Sequence, residues 1–406
     1  MMDVFLIDNH NEYTYLDLLY AVNHSVYYYP QFQKKDLFSY FSNLIVALSG
    51  NHPITLIDSD FSAQEIDSLG LSGINERKEI EPARFISVDS MLDQVSRSKS
   101  SITIFTSGTT GQPKKITHDY QNLSRAVRTG AKYHDNIWGF AYNPTHMAGL
   151  QVLFQALENK NKIVNIFGFQ RAEVYDAIQN NRITHLSATP TFYRLLLPFE
   201  HSYPDVERVT FGGEKSNDKL YQAISLIFPN AKLTNVYAST EAGTLFASKG
   251  NAFQIPEGIR DKVKIFEDEL LVHSSLIGES ETLHLDGDFY HSGDLVEWVD
   301  RNEYIFRFKS RKNELINIGG YKVNPLEVED AIRNFSNIID VHVYGKQNSI
   351  LGNILCADIV KDQKSEIGES DIRLYLKEIL QDYKIPRRIR FVNYLETTRT
   401  GKMKRI

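Results

Sequence analysis

Between residues 183 and 237 the chain spells strand and helix in turn. Ile183 to Ser187, Val206 to Phe211 and Lys232 to Tyr237 are apolar or β-branched runs of strand length. Helical stretches from about Thr191, and from about Ser216 to Phe228, fall between them. Such alternation implies βαβ units with parallel strands, and ligand sites at the carboxyl ends of those strands. Upstream, Leu37, Phe38, Phe41, Leu44, Ile45 and Leu48 recur at helical spacing, Gly50 stops the helix, and Ile54 to Ile57 reads as a strand.

The pattern changes twice further on. Residues 264 to 308 are richer in strand-like pieces and turns, among them Asp286-Gly287 and Asp300 to Glu303. Near residue 310 a smaller unit begins. Asn324, Pro325 and Glu327 fit the cap, first and third positions of a helix that runs to about Phe335. Two strand-like runs follow, Ile338 to Tyr344 and Asn353 to Val360, then a helix near Asp371 to Gln381 and a strand at Ile389 to Val392. At 406 residues the chain exceeds what one core ordinarily serves. The expected domains are residues 1–309 and 314–406, joined near 310–313.

Composition removes several classes of function. The net charge is −6 and no dense basic tract occurs, which argues against a nucleic-acid surface. Cys356 is the sole cysteine, so no internal disulfide and no cysteine-based zinc site can form. It lies in an apolar run and reads as a core residue. No apolar run approaches membrane-spanning length, and the first residues lack the charged start of a signal peptide, so a cytoplasmic protein is expected.

Six motifs carry chemistry. The first is the loop after a β-branched run ending at Thr106. Ser107, Gly108, Thr109, Thr110 and Gly111 supply hydroxyls and turns, and Lys114 supplies charge, a set suited to a polyphosphate. Its spacing is neither that of the Walker loop nor of the dinucleotide fingerprint. The second is Tyr237-Ala238-Ser239-Thr240-Glu241 at a strand end, and the third is Phe211-Gly212-Gly213-Glu214 at another. The fourth is His291-Ser292-Gly293-Asp294, whose carboxylate can accept from two vicinal hydroxyls. The fifth runs from Ser310-Arg311-Lys312-Asn313-Glu314 to Gly319-Gly320-Tyr321-Lys322. The sixth is Thr398 to Arg405, containing Gly401-Lys402.

Together and in this order, these motifs resemble those of the AMP-forming acyl- and aryl-CoA synthetases of the adenylate-forming superfamily. The resemblance covers residues 103 to 405 and leaves a shortened N-terminal region. It implies a large α/β domain of stacked βαβ sheets with a β-rich subdomain, and a small, mobile α+β C-terminal lid. It also implies two half-reactions: a carboxylate attacks Mg²⁺-bound ATP to give an acyl-adenylate and pyrophosphate, and a thiol then displaces AMP. The thiol belongs to CoA or to a carrier-protein phosphopantetheine.

By the same resemblance, Tyr237 and Gly212 to Glu214 lie near adenine, Thr240 touches the α-phosphate and Glu241 holds Mg²⁺. Asp294 and Arg311 take the ribose. Lys402 is the adenylation lysine, Gly319 and Gly320 line the thiol passage, and Asn313 is the hinge. Ser310 and Asn313 depart from the commoner Gly and Asp or Lys, and Glu396 replaces a proline.

His146 and Gly149 resemble a His-x-x-Gly segment beside the acyl group, although His146 reads equally as a packed core histidine. No aspartate in Phe140 to Gln151 answers to the one that holds the amino group in amino-acid-activating relatives, so a plain carboxylic acid is expected. Ala238, where such enzymes carry glycine or tryptophan, suggests an acyl or aryl group of small to medium size. Two other readings stay open: an enzyme that stops at, or uses, the adenylate, and a non-catalytic nucleotide-binding relative.

Overall fold

The structure is a computed structural model, and it describes residues 3–106, 114–318, 321–348 and 352–396. The largest sheet holds eight strands, in the order Gly243–Ser248, Lys232–Ser239, Arg208–Gly212, His185–Ala188, Ile137–Phe140, Lys162–Asn165, Val4–Asp8 and Asn11–Thr14. Its inner pairs are parallel, and only the two outermost pairs are antiparallel. The alternation read in the sequence is therefore a doubly wound sheet.

Several strands start later than their apolar runs. The amide of Ile183 closes the preceding helix onto Ile178, and that of Val206 closes a turn onto Tyr203. Both residues are consumed by caps before the strand begins. The helix expected from Thr191 starts at Pro190 and ends at Leu195, because Thr189 accepts from the Phe192 amide and proline suits the first helical position.

A second sheet pairs Gln31–Phe32, Ile54–Leu56, Ile102–Thr106 and Lys114–His118. The Leu37–Ser49 helix lies in the core that this sheet shares with one side of the large sheet, where Phe5, Phe41, Leu44 and Ile104 are fully buried. The opposite side of the large sheet buries Leu186, Val209 and Phe211 against the Arg171–Asn181 and Asp218–Ile227 helices. A β-rich sheet of Ala252–Gln254, Ile305–Arg311, Phe289–Asp300, Glu269–His273 and Val263–Phe266 has its own core.

Beyond residue 315 a further core joins Ile318, Val323 and the Pro325–Arg333 helix to the strands Ile338–Asn348, Gly352–Lys361 and Arg388–Phe391. Asn324 caps that helix through the Leu326 amide, with Pro325 at its first position. Cys356 is fully buried on a strand here. This C-terminal unit rests on the large sheet's outer helices. Lys215 Nζ meets Asp330 at 2.9 Å, Lys219 Nζ donates to the Arg333 carbonyl at 2.8 Å, and Arg194 Nε lies 3.8 Å from Asp340. Among the described residues no helix is long and apolar enough to cross a membrane.

Candidate active site

One cavity of about 1110 Å³ opens where the large sheet, the β-rich sheet and the C-terminal unit meet. Thr106, Lys114, Gly212, Gly213, Tyr237, Ala238, Thr240, Glu241, Asp294 and Arg311 all line it, as does His146. Residues Ser107 to Gly111, expected to hold phosphate, together with Gly319, Gly320 and Lys402, lie outside the described residues, as does the side chain of Asn313. Thr106 and Lys114 bracket the loop, paired across an antiparallel hairpin. Ile316 and Asn317, which lead into Gly319, also line the cavity.

One corner is built by strand register. Asp294 and Arg311 face each other across an antiparallel pair, and Arg311 Nε donates to Asp294 Oδ1 at 2.7 Å. Asp294 is buried, and its other oxygen accepts from the Tyr237 hydroxyl at 2.6 Å. Asp294 raises the Arg311 guanidinium above its ordinary range against the pull of burial. Burial, with Asp294 beside it, raises the Tyr237 phenol well above its ordinary range, so it stays protonated and donating. The Tyr237 ring stacks on Phe308 with centroids 4.5 Å apart. Gly293 precedes Asp294 at φ +74°, a left-handed backbone that favours glycine, and its N–H donates to Glu269.

The Thr240-Glu241 turn is held from behind. His118 Nε2 donates to the Thr240 carbonyl at 2.8 Å, and the Gly278 amide donates to the Glu241 carbonyl at 2.7 Å. The Arg125 guanidinium donates to the next carbonyl, that of Ala242. Burial pulls His118 below the ordinary histidine range, which leaves it neutral at physiological pH. A Cβ on Gly278 would come within 2.5 Å of the His118 ring. Sequence reasoning passed over His118, Arg125 and Gly278, because isolated residues far apart in the chain leave no local signal.

Elsewhere on the wall, His146 Nε2 lies 3.4 Å from Asp58 Oδ2, and Asn143 Nδ2 donates to the same oxygen at 3.0 Å. Burial would raise the Asp58 carboxyl, but hydrogen bonds from His146, the Asp60 amide and Asn143 outweigh it and hold the group below its usual range. His146 is thus an oriented wall residue rather than a packed core histidine, and Asp58 is the partner the sequence did not reveal.

Two expected residues sit elsewhere. Glu214 does not line the cavity, and its Oε2 accepts from the Thr191 hydroxyl at 2.7 Å and the Thr191 amide at 3.0 Å. It braces the Pro190–Leu195 helix. Gly149 is also off the wall. A Cβ there would lie 2.5 Å from the Asn143 carbonyl, so glycine lets the Met147–Glu158 helix approach that turn.

No cluster of three or more His, Cys, Asp or Glu side chains capable of holding a metal occurs among the described residues. Glu241 on the cavity wall is a single hard oxygen donor. It suits a cation whose remaining ligands come from phosphate and water.

Comparison with known proteins identifies the family. Residues 50–264 match the model of the AMP-binding enzyme family, and residues 327–402 match that of the AMP-binding enzyme C-terminal domain. A curated relative is the 2-succinylbenzoate–CoA ligase of Staphylococcus aureus strain MRSA252. It is 25% identical over 92% of this chain and 81% of its own length. Among solved structures, ATP-bound MatB from Rhodopseudomonas palustris superposes with a TM-score of 0.77 at 16% identity, over 99% of this chain and 94% of that one. The o-succinylbenzoate CoA synthetase of Bacillus subtilis, in complex with the acyl-adenylate intermediate, gives 0.73 at 20% identity over the same shares. At such identities the likeness of the solved structures is one of fold.

Proposed function

Because this chain belongs to the AMP-binding enzyme family, we propose that it is an acid–thiol ligase that activates a carboxylic acid with ATP and passes the acyl group to CoA. The observation that carries this reading is the convergence of Lys114, Gly212, Tyr237, Thr240, Glu241, Asp294 and Arg311 on one cavity.

In this reading Asp294 accepts from the ribose hydroxyls while Arg311 and Tyr237 hold its carboxylate still. Adenine lies by Tyr237 and the Gly212-Gly213 backbone. The triphosphate follows the loop between Thr106 and Lys114. Bound Mg²⁺, with Glu241 as its protein ligand, would neutralise phosphate charge. The substrate carboxylate, near His146 and Ala238, attacks the α-phosphorus. A new P–O bond forms, and pyrophosphate leaves with the electrons of the bond that breaks. Thr240 and Lys402 stabilise the charge that builds there. A thiolate then attacks the acyl carbon, and AMP leaves with the C–O bonding electrons.

The two steps need different groups from one small domain, residues 314–406, so rotation about residues 310–313, with Asn313 as pivot, exchanges Lys402 for the Gly319-Gly320 segment. Ile316 and Asn317 on the cavity wall support assigning the present pose to thiol transfer. A carrier-protein phosphopantetheine could use the same passage. A cytoplasmic location suits the need for ATP and CoA.

The test is carboxylate-dependent pyrophosphate release from Mg²⁺-ATP over a panel of aliphatic and aryl acids, 2-succinylbenzoate included, with and without CoA. Thioester formed only with CoA supports the ligase. Release without thioester favours a carrier protein. Lys402→Ala should abolish pyrophosphate release yet still convert supplied acyl-adenylate to thioester, and loss of neither step would remove Lys402 from the mechanism.

A further inference from the structure

Asp294 stands on a strand whose ladder is interrupted beside it. Leu271 pairs with His291 and Glu269 with Leu295, so one residue of the Glu269–His273 strand, Leu270, faces three of its neighbour, Ser292, Gly293 and Asp294. That segment bulges from the ladder, as chains do where a side chain is to be re-aimed. One carboxylate holds the bulge. Glu269 is buried, and its Oε1 accepts from the Gly293 amide at 2.9 Å. Its Oε2 accepts from His291 Nδ1 at 3.0 Å and from Lys312 Nζ at 3.4 Å. Burial would raise the Glu269 carboxyl, but hydrogen bonds from His291 and Gly293, with the charge of Lys312, keep it below its usual range. It is therefore ionised and accepts from all three groups.

Bracing a bulge requires only the Gly293 contact. The Lys312 contact serves something else, for Lys312 directly precedes Asn313, the expected pivot. Arg311, one residue earlier, is held by Asp294 at 2.7 Å. Both residues before the pivot are thus tied to carboxylates of the β-rich sheet, and the two carboxylates meet at one bulge. A hinge turns at one residue only when the chain on its fixed side stays still. A hinge loose over several residues would sample poses that bring neither Lys402 nor the Gly319-Gly320 segment to the site. The Lys312 side chain is 64% exposed and that of Glu269 only 7%. Solvent therefore screens this ion pair, and its expected effect is modest. The Gly293 contact lies on the buried side.

Resting on the ligase reading above, we propose that Glu269 is a positioning residue with two separable duties. Through the Gly293 amide it aims Asp294 at the ribose. Through Lys312 it holds the fixed side of the hinge, so that the turn between half-reactions falls at Asn313. It acts through these residues and not on the reacting atoms.

The test reads kcat for thioester formation and KM for ATP separately, with a thermal melt to confirm folding at the assay temperature. Glu269→Gln keeps an oxygen for the Gly293 amide but loses the charge that holds Lys312. It should lower kcat by about two- to fivefold, the range of a screened ion pair, and leave KM for ATP within about twofold. Lys312→Met should do the same, and Lys312→Arg should restore kcat. The double variant Glu269→Gln/Lys312→Met should be no slower than the slower single, because both changes remove one contact. Glu269→Ala ends both duties and should also raise KM for ATP by about tenfold. If Glu269→Ala does not fold, Glu269→Gln and the Lys312 variants decide. Additive losses in the double variant overturn the proposal. So do wild-type kcat and KM in every variant with only a lowered melting temperature, which would make Glu269 a structural brace. No pyrophosphate from wild type with any acid overturns the ligase reading itself, and this proposal with it.

Discussion

Tyr237 and Asp294, 57 residues apart in the chain and on different sheets, share a 2.6 Å hydrogen bond in the wall of the cavity. The bond ties the proposed adenine wall to the proposed ribose acceptor, with Arg311 on the carboxylate's other oxygen. Asp294 is therefore aimed before any nucleotide arrives, so less conformational freedom is lost on binding.

Tyr237→Phe should raise the KM for ATP by about three- to tenfold, the scale of one ordinary hydrogen bond, because Arg311 still holds the carboxylate. The ring stays stacked on Phe308, so thermal stability should change little beside that of Asp294→Ala, which strands Arg311. Initial rates at varied ATP and a thermal melt check both. An unchanged KM would separate the pair from nucleotide binding.

Gly278→Ala should act on Thr240 and Glu241 without touching the cavity. The new methyl would overlap the His118 ring and the Ile116 side chain, both buried. A loss of about 1–3 kcal/mol in stability is expected from such overpacking. At a temperature where the variant is folded, adenylate formation should still fall about tenfold, because the turn is displaced. Pyrophosphate release and chemical denaturation measure the two effects separately.

The contacts between the C-terminal unit and the helices bearing Arg194 and Lys219 should favour one half-reaction. Lys219→Met removes two hydrogen bonds across that boundary, to the Arg333 and Ile338 carbonyls. With each contact contributing about 1 kcal/mol, the present pose should become roughly tenfold or more less favourable. Thioester formation from supplied adenylate should slow by several fold, and pyrophosphate release should hold steady or rise. Single-turnover assays of each step decide it, and equal slowing of both would refute the assignment of this pose.

Asp58 sets an acid limit. Its folded carboxyl is held below the ordinary aspartate value of about 3.9. A depressed carboxyl contributes stability that is complete above the unfolded value and is lost as pH falls through the folded one. Stability measured by urea unfolding should therefore decline below about pH 5 in wild type. Asp58→Asn should show a shallower decline over the same window and a lower plateau near neutrality. Parallel curves would exclude Asp58 as a contributor.

What the sequence determined by itself was local. The Leu37–Ser49 and Pro325–Arg333 helices, the strand–helix alternation from residue 183 and the motifs at strand ends are written in spacing, caps and turns. Those signals act over a few residues, which is why they survive without tertiary context. What only the tertiary structure decided was which residues meet. Asp58 reaches His146 across 88 positions, and His118 reaches the Thr240 carbonyl across 122. Glu214 looked like a ligand contact by its motif, yet it turns to Thr191 because a helix start there needs an acceptor. Polar rows on the cavity wall, Ser187, Thr210, Thr234 and His185, Arg208, exist only once parallel strands fix their register. Register is set by packing each strand against its neighbouring strands and the layers on both faces at once, and no window of sequence contains all those partners.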